Sequence, residues 1–597
     1  MVQHNKMGNT FDMHYFSLRC AVATLFFSLT FSSLALAQGF TYNTTLYGQR
    51  LYPNNRGSGC WGYSDTVIVN GQPRLRELAF FGCFRGTSIV DITTPQLREI
   101  AFIPTQSTSP THSGNDWREI RTSGRYAYIT TEATGGGLQI VDLLPDPNNP
   151  DSVRLVRKFD TGGTNNQHNI GTSAGYAWEA DNYIYLCGGQ VTLGFGNSGG
   201  MAIYDVSNPT NPVLMSRYAT RYVHDVYVKN DTAYLANIND GFVDIVNVSN
   251  KSNPVRIRTF TYPAPNIGDA GTHNVWVTED SKFIFTTDEV APSGHNILRV
   301  HDARDYNNII VNAATYKSPV GSQTAVVHNA YVRGKHIIMS YYTQGVKIVD
   351  ISEPLDPVEV GAYNTYGSTT ASGYNGCWGV FPFYPSGKII ASDINTATNS
   401  NTGKLSVIQF NNARAGIVRG TVRSATTNQV IAGAQIRAID YYNKTRTSNS
   451  AGFYRIRTVQ GSNKRFVVSA AGYRADTLVV NVPENGDSIT VDVNLQPLTS
   501  DTQISQRPEG YTLYQNYPNP FNPTTIISYQ LEVPSVVKLE LFDVMGRKLA
   551  TLVDAKQGAG LHQYTLNATQ LALSSGTYFY RLTANGFTDT KRMMLLK

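Results

Sequence analysis

The sequence predicts an all-β chain: a seven-bladed β-propeller followed by two small β-sandwiches. Three observations carry this. A short strand motif recurs through the first two thirds of the chain, aromatic and β-branched residues are interspersed with polar, glycine-bearing turns, and no long stretch has helical periodicity. At 597 residues the chain is too long for one hydrophobic core, so several domains are expected. Charged residues are only 15% and the net charge is +6 without a basic stripe, which argues against a nucleic-acid partner.

The first element is residues 1–37. Lys6 and Arg19 precede an apolar run over 21–36, which ends in Ala35-Leu36-Ala37 before Gln38. A basic start, a run short for a span and an A-x-A site describe a secretory signal peptide; a membrane anchor is the rival. Initiation at Met13 would give a more usual length. Cys20 precedes the run, so it is poorly placed for a lipid anchor, and no later segment is long and apolar enough to cross a bilayer. Cys60, Cys83, Cys187 and Cys377 remain after cleavage, and their spacing matches no zinc ribbon or CxxC motif.

Residues 40–412 carry the repeat. It reads Ser88-Ile89-Val90-Asp91-Ile92, Gln139-Ile140-Val141-Asp142-Leu143, Ala202-Ile203-Tyr204-Asp205-Val206, Asp244-Ile245-Val246-Asn247-Val248, Arg299-Val300-His301-Asp302-Ala303 and Lys347-Ile348-Val349-Asp350-Ile351, with a degenerate seventh copy at 405–410. Each unit divides into four short strands at roughly fifty residues per repeat, the spacing of propeller blades, with an open solenoid as the rival. The seventh copy lacks a fourth strand, whereas 41–51 is strand-like and unassigned. It is expected to close the ring as the missing outer strand. Cys60-Trp61-Gly62 and Cys377-Trp378-Gly379 open the first and seventh units, which leaves either a Cys60–Cys377 disulfide or two buried thiols. With its Asp205-Val206-Ser207-Asn208-Pro209 and Gln344-Gly345-Val346-Lys347-Ile348-Val349-Asp350-Ile351-Ser352 stretches, this region resembles LVIVD-repeat proteins of the "choice-of-anchor B" family. The resemblance implies a secreted propeller joined to a surface-anchoring tail, and brings no biochemical activity with it.

The chemistry is expected where the innermost strands begin. His168-Asn169, His224-Asp225, His273-Asn274 and His328-Asn329 hold equivalent positions in four consecutive units, and Trp117-Arg118-Glu119 holds that position in the second. Glu132, Asp288, Glu289 and Asp393 follow second strands and should emerge on the same face. His168, His224, His273, His328, Trp117, Glu132 and Asp288 are therefore the candidate ligand-binding set at the channel mouth. The four histidines are also candidate metal ligands, because neutral imidazole suits a transition metal such as zinc. Trp61, Trp117 and Trp378 offer flat apolar surfaces to a sugar-like or anionic ligand. A histidine repeated in a repeat protein can equally serve the repeat, by hydrogen bonds between strands. No Gly-x-Ser-x-Gly, His-Glu-x-x-His or phosphate-binding loop is present, the sequence names no cofactor, and an enzyme is the lesser reading.

Two modules complete the chain. Gly416-Ile417-Val418-Arg419-Gly420-Thr421-Val422, Ile431-Ala432-Gly433-Ala434-Gln435-Ile436 and Ser450-Ala451-Gly452-Phe453-Tyr454 alternate strands with glycine turns over 415–497. This segment resembles the carboxypeptidase regulatory-like domain, which implies a transthyretin-like sandwich acting as a spacer. After a polar linker at 498–507, residues 508–597 contain Asn516-Tyr517-Pro518-Asn519-Pro520-Phe521-Asn522-Pro523 and end in Lys591-Arg592-Met593-Met594-Leu595-Leu596-Lys597. They resemble the type A C-terminal sorting domain of the type IX secretion system, an Ig-like sandwich. That implies passage through the periplasm, recognition by the export machinery, and release or attachment outside the cell. Pro518, Asn519, Pro520, Gly586 and Lys591 match its sorting-signal positions. The expected function is a secreted or cell-surface scaffold binding an unknown extracellular ligand or protein. The alternative is a secreted, metal-dependent enzyme using the histidine mouth.

Overall fold

A computed structural model describes residues 41–107, 117–133, 135–161, 169–172, 182–188, 199–262, 271–289, 297–319, 325–367, 373–440, 444–498, 511–516 and 519–596. Among these there is no helix. The signal-peptide expectation, His168 and Pro518 fall outside them.

Between Thr44 and Phe410 the described strands form seven four-stranded antiparallel sheets. Six follow chain order; in the last, Thr44–Tyr52 pairs antiparallel with Gly403–Phe410 as its outer strand. The N-terminal segment thus occupies the edge that the seventh repeat leaves open, as its strand-like sequence predicts. First strands touch in succession: Gly57–Val69 meets Ile120–Ser123, then follow Asn169–Thr172, Asp225–Lys229, Thr272–Val277 and Ala330–Arg333. The neighbouring strand His336–Ser340 meets Cys377–Phe381, which returns to Gly57–Val69 and completes the circuit.

The repeated motif has a physical basis. The third strands Gly86–Asp91, Leu138–Asp142, Leu298–Asp302 and Val346–Asp350 are buried along their whole length. Neighbouring sheets cover both faces, so the strands read as continuous apolar runs instead of alternating. The closing Asp or Asn accepts the backbone N–H two residues on: Thr93 to Asp91 at 2.8 Å, Ser207 to Asp205 at 2.7 Å, Ser249 to Asn247 at 2.9 Å and Ser352 to Asp350 at 2.8 Å. Such side-chain turns release the chain from the strand at a fixed point. The apolar residue that follows is buried and bonds back to the second strand or the turn before it, as Ile92 N–H does to Glu77 O and Ile351 N–H to Lys335 O. A β-bulge falls at the same motif position, between Ile89 and Val90, Ile140 and Val141, Ile245 and Val246, and Ile348 and Val349. It bends the fourth strand and increases the local twist.

The two C-terminal units are built differently. Gly416–Ser424, Thr524–Leu531 and Ser535–Phe542 alternate buried and exposed residues, as strands with one face on a core require. Each unit has two sheets around its own apolar cluster, centred on Val418, Ile436, Tyr454 and Phe466 in the first. The second centres on Ile527, Leu539, Tyr580 and Leu582.

The first sandwich is docked on the sixth propeller sheet. Arg457, fully buried, bonds Asp350 at 3.0 Å and the Ser352 hydroxyl at 2.8 Å, while Arg455 forks onto Glu353 and Lys444 contacts Asp356. Ala415 N–H donates to Asp350 at 2.8 Å, and Ala413, Ala415 and Val459 join the propeller core. Cys60, Cys83, Cys187 and Cys377 are all free, buried thiols.

Candidate functional site

The inner strands stack side chains in layers. At the mouth, the His224 and His273 rings lie 4.5 Å apart, His273 and His328 4.1 Å, and His328 and Trp378 4.3 Å. Trp378 stacks on Trp117 at 5.9 Å, and Tyr222 flanks His224 at 6.1 Å. A continuous row of rings therefore crosses one mouth. The three histidines are 7%, 3% and 1% exposed, whereas Tyr374, packed against Tyr342, is 48% exposed.

One residue in, Asp225, Asn274 and Asn329 form a polar layer. Asn274 Nδ2 donates to Asp225 at 2.6 Å and its Oδ1 accepts Ala330 N–H at 3.0 Å, which ties three successive units together. Glu119 and Arg121 pair at 3.1 Å in the same buried region. Two residues further, aromatic rings fill the channel: Tyr227 stacks on Trp276 at 3.7 Å, and Trp276 packs on Tyr331 and Phe383. Burial comes first and Glu119 and Asp225 add to it against the opposing Arg121, so the Tyr331 hydroxyl is pushed well above its usual range and stays protonated. Bulges at His273 and Trp378 break strand alternation, and His273, Asn274 and Trp276 all turn to the channel.

One carboxylate joins the histidine row. His273 Nε2 lies 3.3 Å from Glu289 Oε2 and His328 Nε2 lies 3.5 Å from Oε1. Tyr342 OH donates to Oε1, and Tyr374 OH donates to the Glu289 carbonyl at 2.8 Å. Burial, then the Glu289 charge, raises Tyr342 well above an ordinary phenol, so the hydroxyl remains a donor. One ligand atom each from His224, His273 and Glu289 lies within 4.8 Å of the others.

The candidates named from sequence divide accordingly. His224, His273 and His328 come together, and Trp117 lies at the end of their row beside Trp378. Glu132 is half-buried and, after burial, its charge is the next influence raising the Tyr222 hydroxyl. Asp288 is engaged elsewhere: it bonds Arg299 at 2.9 Å and the Tyr262 hydroxyl, fully buried between sheets. Asp393 does likewise with Lys404 at 3.0 Å, and Trp61 sits inside the channel under the Arg121 guanidinium at 4.1 Å. Tyr222, Tyr342 and Tyr374 escaped the sequence reading. The inner aromatic layer had a legible signal, the aromatic three places after each histidine in His224-Asp225-Val226-Tyr227, His273-Asn274-Val275-Trp276 and His328-Asn329-Ala330-Tyr331.

In the last domain, Asn519 folds onto the final strand, its Oδ1 accepting Met594 N–H at 2.8 Å. Pro520 precedes Phe521, whose N–H bonds Met594 O at 2.9 Å. Gly586, at φ +83, makes the turn before Phe587–Leu595 with Asn585 at φ +46, a conformation that favours these two residue types. Lys591 lies on that strand, 3.2 Å from Asp589.

The family comparisons follow the same division. The LVIVD repeat model matches residues 114–161, 196–220, 221–261 and 332–365. The carboxypeptidase regulatory-like domain model matches 417–496, and the secretion system C-terminal sorting domain model matches 515–596. Nothing among the curated proteins matches the chain. Similar solved structures include a protein from Lactobacillus plantarum, 10% identical, covering 67% of this chain and 99% of its own, with a TM-score of 0.37. A functionally unknown protein from Desulfotomaculum acetoxidans is 9% identical over 53% of this chain and 87% of its own, TM-score 0.35. The periplasmic gluconolactonase of Pseudomonas aeruginosa is 11% identical over 53% and 84%, TM-score 0.35. These likenesses carry no functional argument. The sorting domain indicates type IX secretion to the cell surface or extracellular space, and hence interaction with that machinery. No helix among the described residues is long and apolar enough to cross a membrane. The chain therefore carries LVIVD repeats forming a propeller-like body, a carboxypeptidase regulatory-like domain and a type IX secretion C-terminal sorting domain.

Proposed function

We propose that this protein is an extracellular binding scaffold whose seven-bladed propeller takes a saccharide ligand at the histidine mouth, and that the sorting tail delivers it there. The observation that carries the reading is the row of rings from Tyr222 through His224, His273, His328 and Trp378 to Trp117. It is bordered by Glu289 and the Tyr342 and Tyr374 hydroxyls. Flat aromatic faces beside a few fixed donors and acceptors suit a ring-shaped ligand with an apolar face and a polar rim. Trp117, part-exposed at the end of the row, is the proposed landing face. The regulatory-like domain acts as a rigid spacer.

Calorimetric titration of the mature chain with xylohexaose, chitohexaose, a cello-oligosaccharide and polygalacturonate tests this, with tryptophan fluorescence as the second readout. Binding of at least one, weakened about 10-fold by Trp117→Ala, is expected, since one aromatic contact contributes about 1.4 kcal/mol. Silence from the whole panel, or unchanged affinity in the variant, would sink the proposal. The rival reading, a secreted metal-dependent enzyme, is favoured only by the closeness of His224, His273 and Glu289.

A further inference from the structure

Two imidazoles and a carboxylate meet at one point of the mouth. We propose that His224, His273 and Glu289 bind one divalent transition-metal ion of the zinc class, and that His328 and Tyr342 position Glu289 for it. The inference deepens the binding-scaffold reading and rests on it only for the location of the mouth.

The geometry fits the ion. In tetrahedral coordination with bonds of about 2.0–2.1 Å, neighbouring ligand atoms lie about 3.3 Å apart. His273 Nε2 and Glu289 Oε2 are separated by 3.3 Å, and the donor atoms of all three residues lie within 4.8 Å of one another. The donor chemistry selects the metal: imidazole nitrogen suits zinc, copper and nickel, whereas calcium and magnesium prefer shells made of oxygen. The ligands come from two neighbouring units, His224 ahead of Asp225–Lys229 and His273 with Glu289 from the adjoining hairpin, so the ion would join consecutive sheets.

The surroundings match an outer shell. His328 Nε2 stands 3.5 Å from Glu289 Oε1, and Tyr342 OH donates to that same oxygen. This leaves Oε2 beside the His273 imidazole, the arrangement by which outer groups orient a ligating carboxylate. Trp378, packed on His328 at 4.3 Å, limits water access from that side. Beneath this site Asn274 bonds Asp225 and Ala330 across successive units, which fixes the strands that carry the histidines.

The test uses the mature full-length chain, stripped by chelator and titrated with ZnCl2, and with CoCl2 as an optical reporter. One equivalent of zinc per chain is expected. His224→Gln and Glu289→Gln should each weaken binding at least about 100-fold, and Tyr342→Phe about 10-fold with an altered cobalt spectrum, as loss of an outer-shell partner does. Near-ultraviolet circular dichroism and thermal melting of each apo variant establish that it is folded; a variant that is not is replaced by His273→Gln. Substoichiometric zinc on a folded parent overturns the proposal, as does parental affinity in both His224→Gln and Glu289→Gln. Repeating the saccharide titration on the stripped chain separates the two readings. Zinc binding without any saccharide binding overturns the ligand proposal alone, and saccharide binding by a parent that takes no zinc overturns the metal proposal alone.

Discussion

The sharpest energetic prediction concerns Arg457, the side chain that fastens the regulatory-like domain to the propeller. Its guanidinium is 2% exposed and faces Asp350, 0% exposed, at 3.0 Å. The Arg455–Glu353 pair beside it is 36% and 43% exposed, so solvent screening limits it to well under 1 kcal/mol. The buried pair must therefore dominate. Removing one partner of a buried pair costs about 3–5 kcal/mol, because a charge is left behind in the interior. Arg457→Met leaves Asp350 with the Ser352 N–H, the Ser352 hydroxyl and the Ala415 N–H, so the lower end, about 3 kcal/mol, is expected. Asp350→Ala leaves Arg457 with the Ser352 hydroxyl, the Asp356 carbonyl and Glu353 at 3.7 Å, but it also removes the side-chain turn at Ser352 and the acceptor of Ala415 N–H, so a loss of about 3–5 kcal/mol is expected.

Urea unfolding of the mature chain, combined with limited proteolysis near 411–415, reads both effects. The parent should lose propeller and regulatory-like domain together, whereas Arg457→Met should uncouple them and expose the junction. A double-mutant cycle should return a coupling above about 1 kcal/mol. Acid should mimic the variants. The Asp350 carboxyl is pushed up by burial, but its bonds to Ser352 and Ala415 and the Arg457 charge outweigh this and hold it below 3.8. A depressed carboxyl contributes stability above its unfolded value, and that contribution is lost as pH falls from about 3.8 through the folded value. Domains that stay coupled in Arg457→Met, with a loss below about 1 kcal/mol, would refute the reasoning.

Four further outcomes are expected. Burial lifts the Cys60 thiol to about 12 and Cys83 to about 11, and raises Cys187 and Cys377 strongly, so none of the four should react with a disulfide reagent near neutral pH until urea is added; rapid native labelling would contradict this. Burial, assisted by Arg299, lowers His301 from 6.5 to about 3, so its contribution is present above 6.5 and fades as pH falls toward 3. That costs about 2 kcal/mol near pH 5, and His301→Gln should remove this part of the pH slope. Deleting 44–52 should bare the Gly403–Phe410 edge and yield oligomers on size-exclusion chromatography, whereas a monomer with parental melting would contradict ring closure by that strand. Deleting 515–596 should leave the protein in the periplasm on cell fractionation, and continued surface delivery would show that the tail is not the export signal.

Much of the architecture was legible because the repeat constrains it at several levels. The Asp or Asn that closes the motif in the first six copies is a turn residue, the flanking aliphatics fix a two-faced burial, and the unpaired seventh copy signals the closing strand. The site was legible only in part. Asp288 and Glu289 are adjacent, and without the phase of the strand both qualify as mouth acids. Asp288 is the last paired residue, opposite Thr272, and turns into the gap between sheets where Arg299 meets it; Glu289, one residue beyond, turns to the histidines. A period-two argument would separate them, but the bulge at His273 shifts the phase of the facing strand and does not show in the sequence. Tyr342 and Tyr374 come from the sixth and seventh units, at a distance in sequence that no local pattern spans.

The layering bears on why the histidines recur. A repeated histidine that merely serves the repeat should bond neighbouring strands at its own level, and that level would then be the rigid girdle of the channel. Here side-chain bonds cross from unit to unit one residue further in, from Asn274 to Asp225 and from Ala330 to Asn274, while the Thr287 hydroxyl crosses at the histidine level to the His328 backbone carbonyl. The aromatic stack of Tyr227, Trp276 and Tyr331 seals the channel beneath them. The positions one and three places after each histidine thus contribute strand tying and sealing through their side chains. The histidine position itself converges on one carboxylate, Glu289, which shares a hairpin with His273 and reaches His328 of the next unit. A polar girdle and an aromatic plug hold the inner strands rigidly, and side chains mounted on a rigid frame are the ones that can keep a fixed geometry toward a ligand.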